Sequence, residues 1–132
     1  MNPSALEAWA PQVRAILRIV TALLFIEHGT QKLFGFPASD FSPTFLSLPW
    51  IAGVLEIVGG VLVLVGLFTR PAAFVLSGLM AVAYWMVHAP MGFFPVVNGG
   101  DGAVLFCFVF LYIFVAGPVA WSVDGARAGR RA

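Results

Sequence analysis

Residues 50–68, WIAGVLEIVGGVLVLVGLF, decide what kind of molecule this is. They contain one ionisable side chain, Glu56, and a helix needs about 20 predominantly apolar residues to cross a bilayer core. The stretch predicts a membrane helix. The whole chain agrees with it: of 132 residues, 61% are hydrophobic and 10% charged. Soluble domains run near 45–50% apolar and about 25% charged. Seven Lys and Arg with six Asp and Glu cannot coat a globule, which excludes a soluble enzyme, a disordered chain and an electrostatic nucleic-acid binder. A single Cys excludes an internal disulfide framework, a CxxC redox pair and a Cys-rich zinc site.

Working outward, Thr69-Arg70-Pro71 reads as a tight turn, since Pro in a helix's first turn gives up no needed N–H. A third helix is predicted over residues 71–88, and Pro90, Pro95 and the glycines then make a loop. Asp101 suits a helix N-terminus, so a fourth helix is predicted over 101–117, ended by Gly117-Pro118. Upstream, residues 35–49 hold three prolines and read as a loop, preceded by a helix over 12–34. Ser4 and Glu7 have capping-box spacing, which predicts a short interfacial turn ending by Pro11. The opening residues do not read as a cleaved signal peptide, because the apolar run follows Arg14 and Arg18 and lacks a small-residue cleavage site.

The expected architecture is therefore all-α, a single membrane domain (residues 1–132) built as a four-transmembrane-helix bundle with a basic tail over 122–132. Six basic residues (Arg14, Arg18, Arg70, Arg127, Arg130, Arg131) fall on one side of that topology, and Lys32 alone on the other. The positive-inside rule then puts both termini in the cytoplasm of a multi-pass inner-membrane protein. A loose echo between EHGTQKLFGFP and VHAPMGFFP suggests two parallel helix-pair repeats.

The few polar residues have a pattern. Arg14, Arg18, Thr21, His28 and Lys32 share one stripe of the first helix, with Phe25 among them. Lipid cannot solvate such a stripe, so this helix is expected to be the innermost of the bundle. Glu27 and Gln31 lie on the adjacent face. Glu56, six residues past Trp50, sits roughly 9 Å below the outer boundary, and His28 roughly 10 Å. His88 lies at the same outer end. Glu27, His28, Gln31, Lys32, Glu56 and His88 are thus expected to gather in one outer pocket.

Three readings of that pocket stand side by side. Glu56 paired with His28 or Lys32 can simply hold helix register. Alternatively, Glu56 as acid/base and His28 as hydrogen-bond donor can receive a quinone or pass protons. A zinc or iron site is the third, which no HxxxH or ExxH spacing supports. Small-residue ridges at Ala52, Glu56, Gly60 and at Ala73, Ser77, Ala81 read as helix packing. The run FCFVFLYIF (106–114) reads as lipid-facing surface or a subunit contact, with Cys107 an inert filler. The GARAGRRA tail reads as an anionic-lipid contact.

HG-x-QK-L-FGF from His28, E-x-x-GG…GL-x-TR-x-A from Glu56 and the closing S-x-D at Ser122 and Asp124 resemble the DoxX family of small four-helix membrane proteins. NGGD at Asp101 stands where that family often has NGGE. The resemblance implies an inner-membrane protein related to subunits of quinol-oxidase and thiosulfate:quinone oxidoreductase systems. It implies recurrent polar positions at His28, Gln31, Lys32, Glu56, Arg70 and Asp124, with Arg70 and Asp124 structural, and brings no intrinsic cofactor. The reading that follows is an accessory subunit of a quinone-linked membrane redox system. It would contact lipid, partner subunits or a second copy of itself. A small proton-coupled transporter or channel, and a chaperone-like scaffold, are the alternatives.

Overall fold

The computed structural model describes residues 3–129. Their regular secondary structure is all helical, with no strand among them: α1 (Pro3–Phe34), α2 (Leu48–Val65), α3 (Thr69–Ala83), the short α4 (Pro95–Asn98), α5 (Asp101–Ala116) and α6 (Val123–Gly129). A π-helical turn (Tyr84–His88) and a 3-10 turn (Ala89–Met91) carry α3 onward without a break. Three helices are long and apolar enough to cross a membrane, Ser4–Phe34, Leu48–Val65 and Thr69–Met91, and Asp101–Ala116 is a shorter apolar one.

Several boundaries differ from the sequence expectation. Helix α1 does not stop at Pro11 but runs through it, and Ser4 lies inside its first turn. A proline removes only one i→i−4 bond, and the residues on either side keep theirs. At 32 residues α1 is roughly 48 Å long, well beyond a hydrocarbon core of about 30 Å. Helix α2 starts before Trp50 because the Ser47 hydroxyl caps it, accepting from the Trp50 N–H, while Pro49 occupies its first turn. It ends at Gly66, whose φ of 70° allows Leu67 N–H to reach the Leu62 carbonyl at 2.9 Å. The expected basic tail is in part the helix α6; Arg130 and Arg131 lie outside the described residues.

Helices pack in two close pairs, α1 with α2 and α3 with α5; α2 joins the pairs, and α1 touches α5 lightly. Glycine brings the first pair together. A Cβ on Gly29 would stand 2.8 Å from the Gly53 carbonyl, and one on Gly60 would stand 2.7 Å from Ile26. In the second pair Ala73 and Ser77 face α5, and the Ser77 hydroxyl donates to the Cys107 carbonyl at 2.8 Å. The core is an apolar layer of Phe25, Val63, Ala73, Leu76 and Phe110, in which Phe25 meets Phe110 edge-on.

Two expectations about burial change. Helix α1 is not innermost: Ala15, Arg18, Ala22 and Phe25 are buried, but Val13, Ile16, Val20 and Leu24 on its other side are exposed. Lipid tolerates bare apolar side chains, so covering the polar stripe takes one close partner rather than a full surround. Nor is the 106–114 run all surface, since Phe110 and Ile113 are core while Phe108 and Tyr112 are exposed. A helix apolar on every side has no periodicity to show which face is covered.

Candidate functional site

Gly29 and Gly53, by letting α1 and α2 approach closely, bring Lys32 beside Glu56. The Lys32 ammonium donates to Glu56 Oε1 at 2.5 Å. Glu56 is 1% exposed, whereas the Lys32 side chain keeps 24% of its surface. The second carboxylate oxygen, Oε2, is buried and has no hydrogen-bond partner. A carboxylate oxygen removed from water and left unpaired costs free energy, so Oε2 is the polar atom of this end least satisfied by the protein itself.

His28 lies one helical turn before Lys32, exposed, within electrostatic range of Glu56 and with its ring edge-on to Phe106 at 5.7 Å. Gln31 is half-buried on the same turn of α1. Glu27 is exposed, and its backbone carbonyl accepts the Thr30 hydroxyl. Lys32, Glu56 and His28 thus form one group on the α1/α2 pair.

His88 belongs to a different group. Its Nδ1 lies 3.0 Å from the Asn98 carbonyl, and a carbonyl only accepts, so Nδ1 is the nitrogen carrying hydrogen. Asn98, 4% exposed, donates to the Gly92 carbonyl and the Tyr84 hydroxyl and accepts from the Gly100 N–H. The π turn that carries His88 sets it against the Asn98 carbonyl at the end of α4. The single outer pocket expected from depth alone is therefore two groups. Depth along a helix says nothing of rotation about its axis.

The richest polar network sits at the opposite end. Arg18, 1% exposed, donates to the carbonyls of Val63 and Leu64 at the end of α2 and to the Trp121 carbonyl at 2.8 Å. Arg70 donates to the Phe114 and Val115 carbonyls at the end of α5. Asp124, from α6, caps α3: Oδ2 accepts the Thr69 N–H at 2.8 Å and its hydroxyl at 2.9 Å, and Oδ1 accepts the Phe68 N–H at 3.1 Å. Burial pushes the Asp124 carboxyl up, but these three donors and the nearby Arg127 outweigh it and hold the group below its ordinary value. Each of the three residues satisfies backbone groups that a helix end leaves open. Charge counting placed Arg18 with the topology signals; the stripe it shares with Thr21 and Phe25 was the signal of burial. Arg70 and Asp124 do structural work here.

Among the described residues no three His, Cys, Asp or Glu side chains converge as metal ligands. A groove between α2 and α3, lined by Leu55, Gly59, Leu62, Ala72 and Leu76, is apolar.

The DoxX family model matches residues 13–89. A Haemophilus influenzae protein described as uncharacterised is 46% identical over 90% of this chain and 93% of its own length. An uncharacterised membrane protein of Mycobacterium tuberculosis is 29% identical over 98% of this chain and 90% of its own. The inner membrane protein YphA of Escherichia coli is 28% identical over 86% of this chain and 89% of its own. No solved structure matches.

Proposed function

Because the chain belongs to the DoxX family and is an integral membrane protein, we propose that it is an accessory subunit of a quinone-linked redox system of the bacterial inner membrane. In this reading α1, α2, the α3 continuation and α5 are four spans, with both termini cytoplasmic. The basic residues at the Arg18 end support that orientation. Helix α5, at 16 residues roughly 24 Å long, is accommodated by local thinning of the bilayer.

The observation that carries the reading is the free Oε2 of Glu56. A buried carboxylate held by Lys32 on one oxygen and unpartnered on the other would suit a hydrogen-bonding head group that enters from the lipid. Exposed His28 and the edge of Phe106 would meet such a ring from the bilayer side. A quinone, when bound, supplies the two-electron redox chemistry; the chain's own groups bind and orient it. A transporter reading has less support, because the apolar layer around Phe25, Leu76 and Phe110 separates the two polar ends.

The test is binding of a short-tailed quinone analogue to the purified protein in nanodiscs. His28→Ala should weaken it and Glu56→Gln should change it, and unchanged affinity in both variants refutes the site. Contact with a partner subunit would use the exposed α5 residues, so Phe108→Ala should release a co-purifying partner that Glu56→Gln retains.

A further inference from the structure

We infer that α1 joins a second copy of this chain along an apolar seam, making a parallel dimer. The inference is independent of the Glu56 reading and concerns the face of α1 that the bundle leaves bare.

Leu6, Trp9, Val13, Ile16, Val20 and Leu23 follow one another at steps of three and four residues. That is an a/d heptad pattern, with Leu6, Val13 and Val20 at a and Trp9, Ile16 and Leu23 at d. All six are exposed, between 48% and 65%. The bundle uses the opposite face: Ala15, Arg18, Ala22 and Phe25 fall at c and f and are buried. Pro11 also falls at f, so its ring stays out of the seam.

Inside a bilayer such a stripe needs no partner, because lipid tails are as apolar as Leu. This seam runs on past the bundle. Leu33 lies against Gly53 near the start of α2, and Arg18 reaches the Val63 and Leu64 carbonyls at its end. The surplus length of α1 therefore falls at its N-terminus, where the helix continues for about 22 Å from Arg18 back to Pro3. In residues 3–14 the large apolar side chains are Leu6, Trp9 and Val13, all at a or d; the rest are polar, Ala or Pro. A helical stretch of about 12 residues standing in water is marginal unless its apolar face is packed. Among the described residues nothing covers this one, and residues 4–10 are exposed throughout.

A second copy fits the face on several counts. Two copies inserted with one topology set their α1 helices parallel, so each layer meets its own equivalent across a two-fold axis. Valine at two of the three a positions favours two strands over three or four. The six side chains present roughly 600 Å² per copy, so two copies together clear the about 1,000 Å² that a specific interface needs. No charged residue stands at e or g between Leu6 and Leu23 to oppose the contact. The next a position is the exposed Glu27, where two carboxylates would face each other, so the seam ends at Leu23.

The test is cysteine cross-linking of the full-length protein in proteoliposomes, in a Cys107→Ala background. Leu6→Cys and Val13→Cys should each give disulfide-linked dimers, whereas Glu7→Cys and Ala8→Cys, at b and c, should not. Single-molecule photobleaching at high lipid excess then measures the monomer–dimer equilibrium. Trp9→Ala should raise its dissociation constant about tenfold or more, and Glu27→Leu should lower it. Equal cross-linking from all four positions, or from none, overturns the inference, and so does an unchanged dissociation constant in Trp9→Ala. A label at Val13→Cys that a lipid-borne quencher reaches, without any cross-link, shows the segment lying on the bilayer instead and overturns it too. A Glu27→Leu protein that dimerises no better overturns the register assigned to the seam.

Discussion

Replacing Asp124 by Ala isolates one device of this fold. Helix α3 begins after Phe68, which has φ 49° and no capping side chain of its own, so its first N–H groups depend on a residue 55 positions away. The variant removes acceptors from the Phe68 N–H, the Thr69 N–H and the Thr69 hydroxyl. Loss of an N-cap costs about 0.5–2 kcal/mol. Thr69 is fully buried, and a buried donor left unsatisfied costs about 1–3 kcal/mol. The two figures overlap, because one N–H appears in both, and we expect a loss of about 2–3 kcal/mol. The Asp124 backbone N–H still reaches the Gly66 carbonyl in the variant, so α6 need not detach. Asp124→Asn, which keeps one acceptor oxygen, should lose about half as much. The assay is reversible unfolding in mixed micelles under increasing SDS. An Asp124→Ala protein within about 0.5 kcal/mol of wild type would show that the cap does not hold α3, and would refute the reasoning.

Other outcomes follow from the same geometry. The Asp124 carboxyl lies below its ordinary value of 3.8, so its contribution is complete above that pH and fades as pH falls through the lower, folded value. An unfolding midpoint that drops below about pH 4 in wild type but not in Asp124→Asn checks it. Lys32→Met or Glu56→Met alone should cost about 2–4 kcal/mol by stranding a charge, and the double variant should recover most of it in a mutant cycle. Gly29→Ala should destabilise by about 1–3 kcal/mol, since its Cβ would stand 2.6 Å from Ile57 and 2.8 Å from a backbone oxygen. Gly78→Ala, with nothing within 4 Å, should be neutral or stabilising in the same unfolding assay.

Much of the helical layout was legible because the bilayer imposes a simple rule. Long apolar runs around Glu56 and after Arg70 read directly as helices, but the reading began the first of them after its Ser47 cap and Pro49 and ran through its Gly66 stop. Pro11 was misleading for a physical reason: one missing hydrogen bond does not end a helix whose other bonds persist. Helix α6 was invisible because seven residues, four of them Ala or Gly, carry no periodic signal. Its Asp124 matters through contacts that sequence distance conceals. For the site, the sequence marked Lys32, Glu56 and His28 but also His88, which the π turn carries off to Asn98.

The sequence by itself determined that this is a helical membrane protein and which few polar residues its interior would have to accommodate. Composition and run length suffice for that, because lipid penalises every unpaired polar group alike. Only the tertiary structure decided which of those residues meet. It paired Lys32 with Glu56 across glycine contacts, turned Arg18, Arg70 and Asp124 into caps for helices other than their own, and left Glu56 Oε2 unsatisfied. Rotation about a helix axis and close approach at glycine depend on neighbouring surfaces, and no single segment contains them.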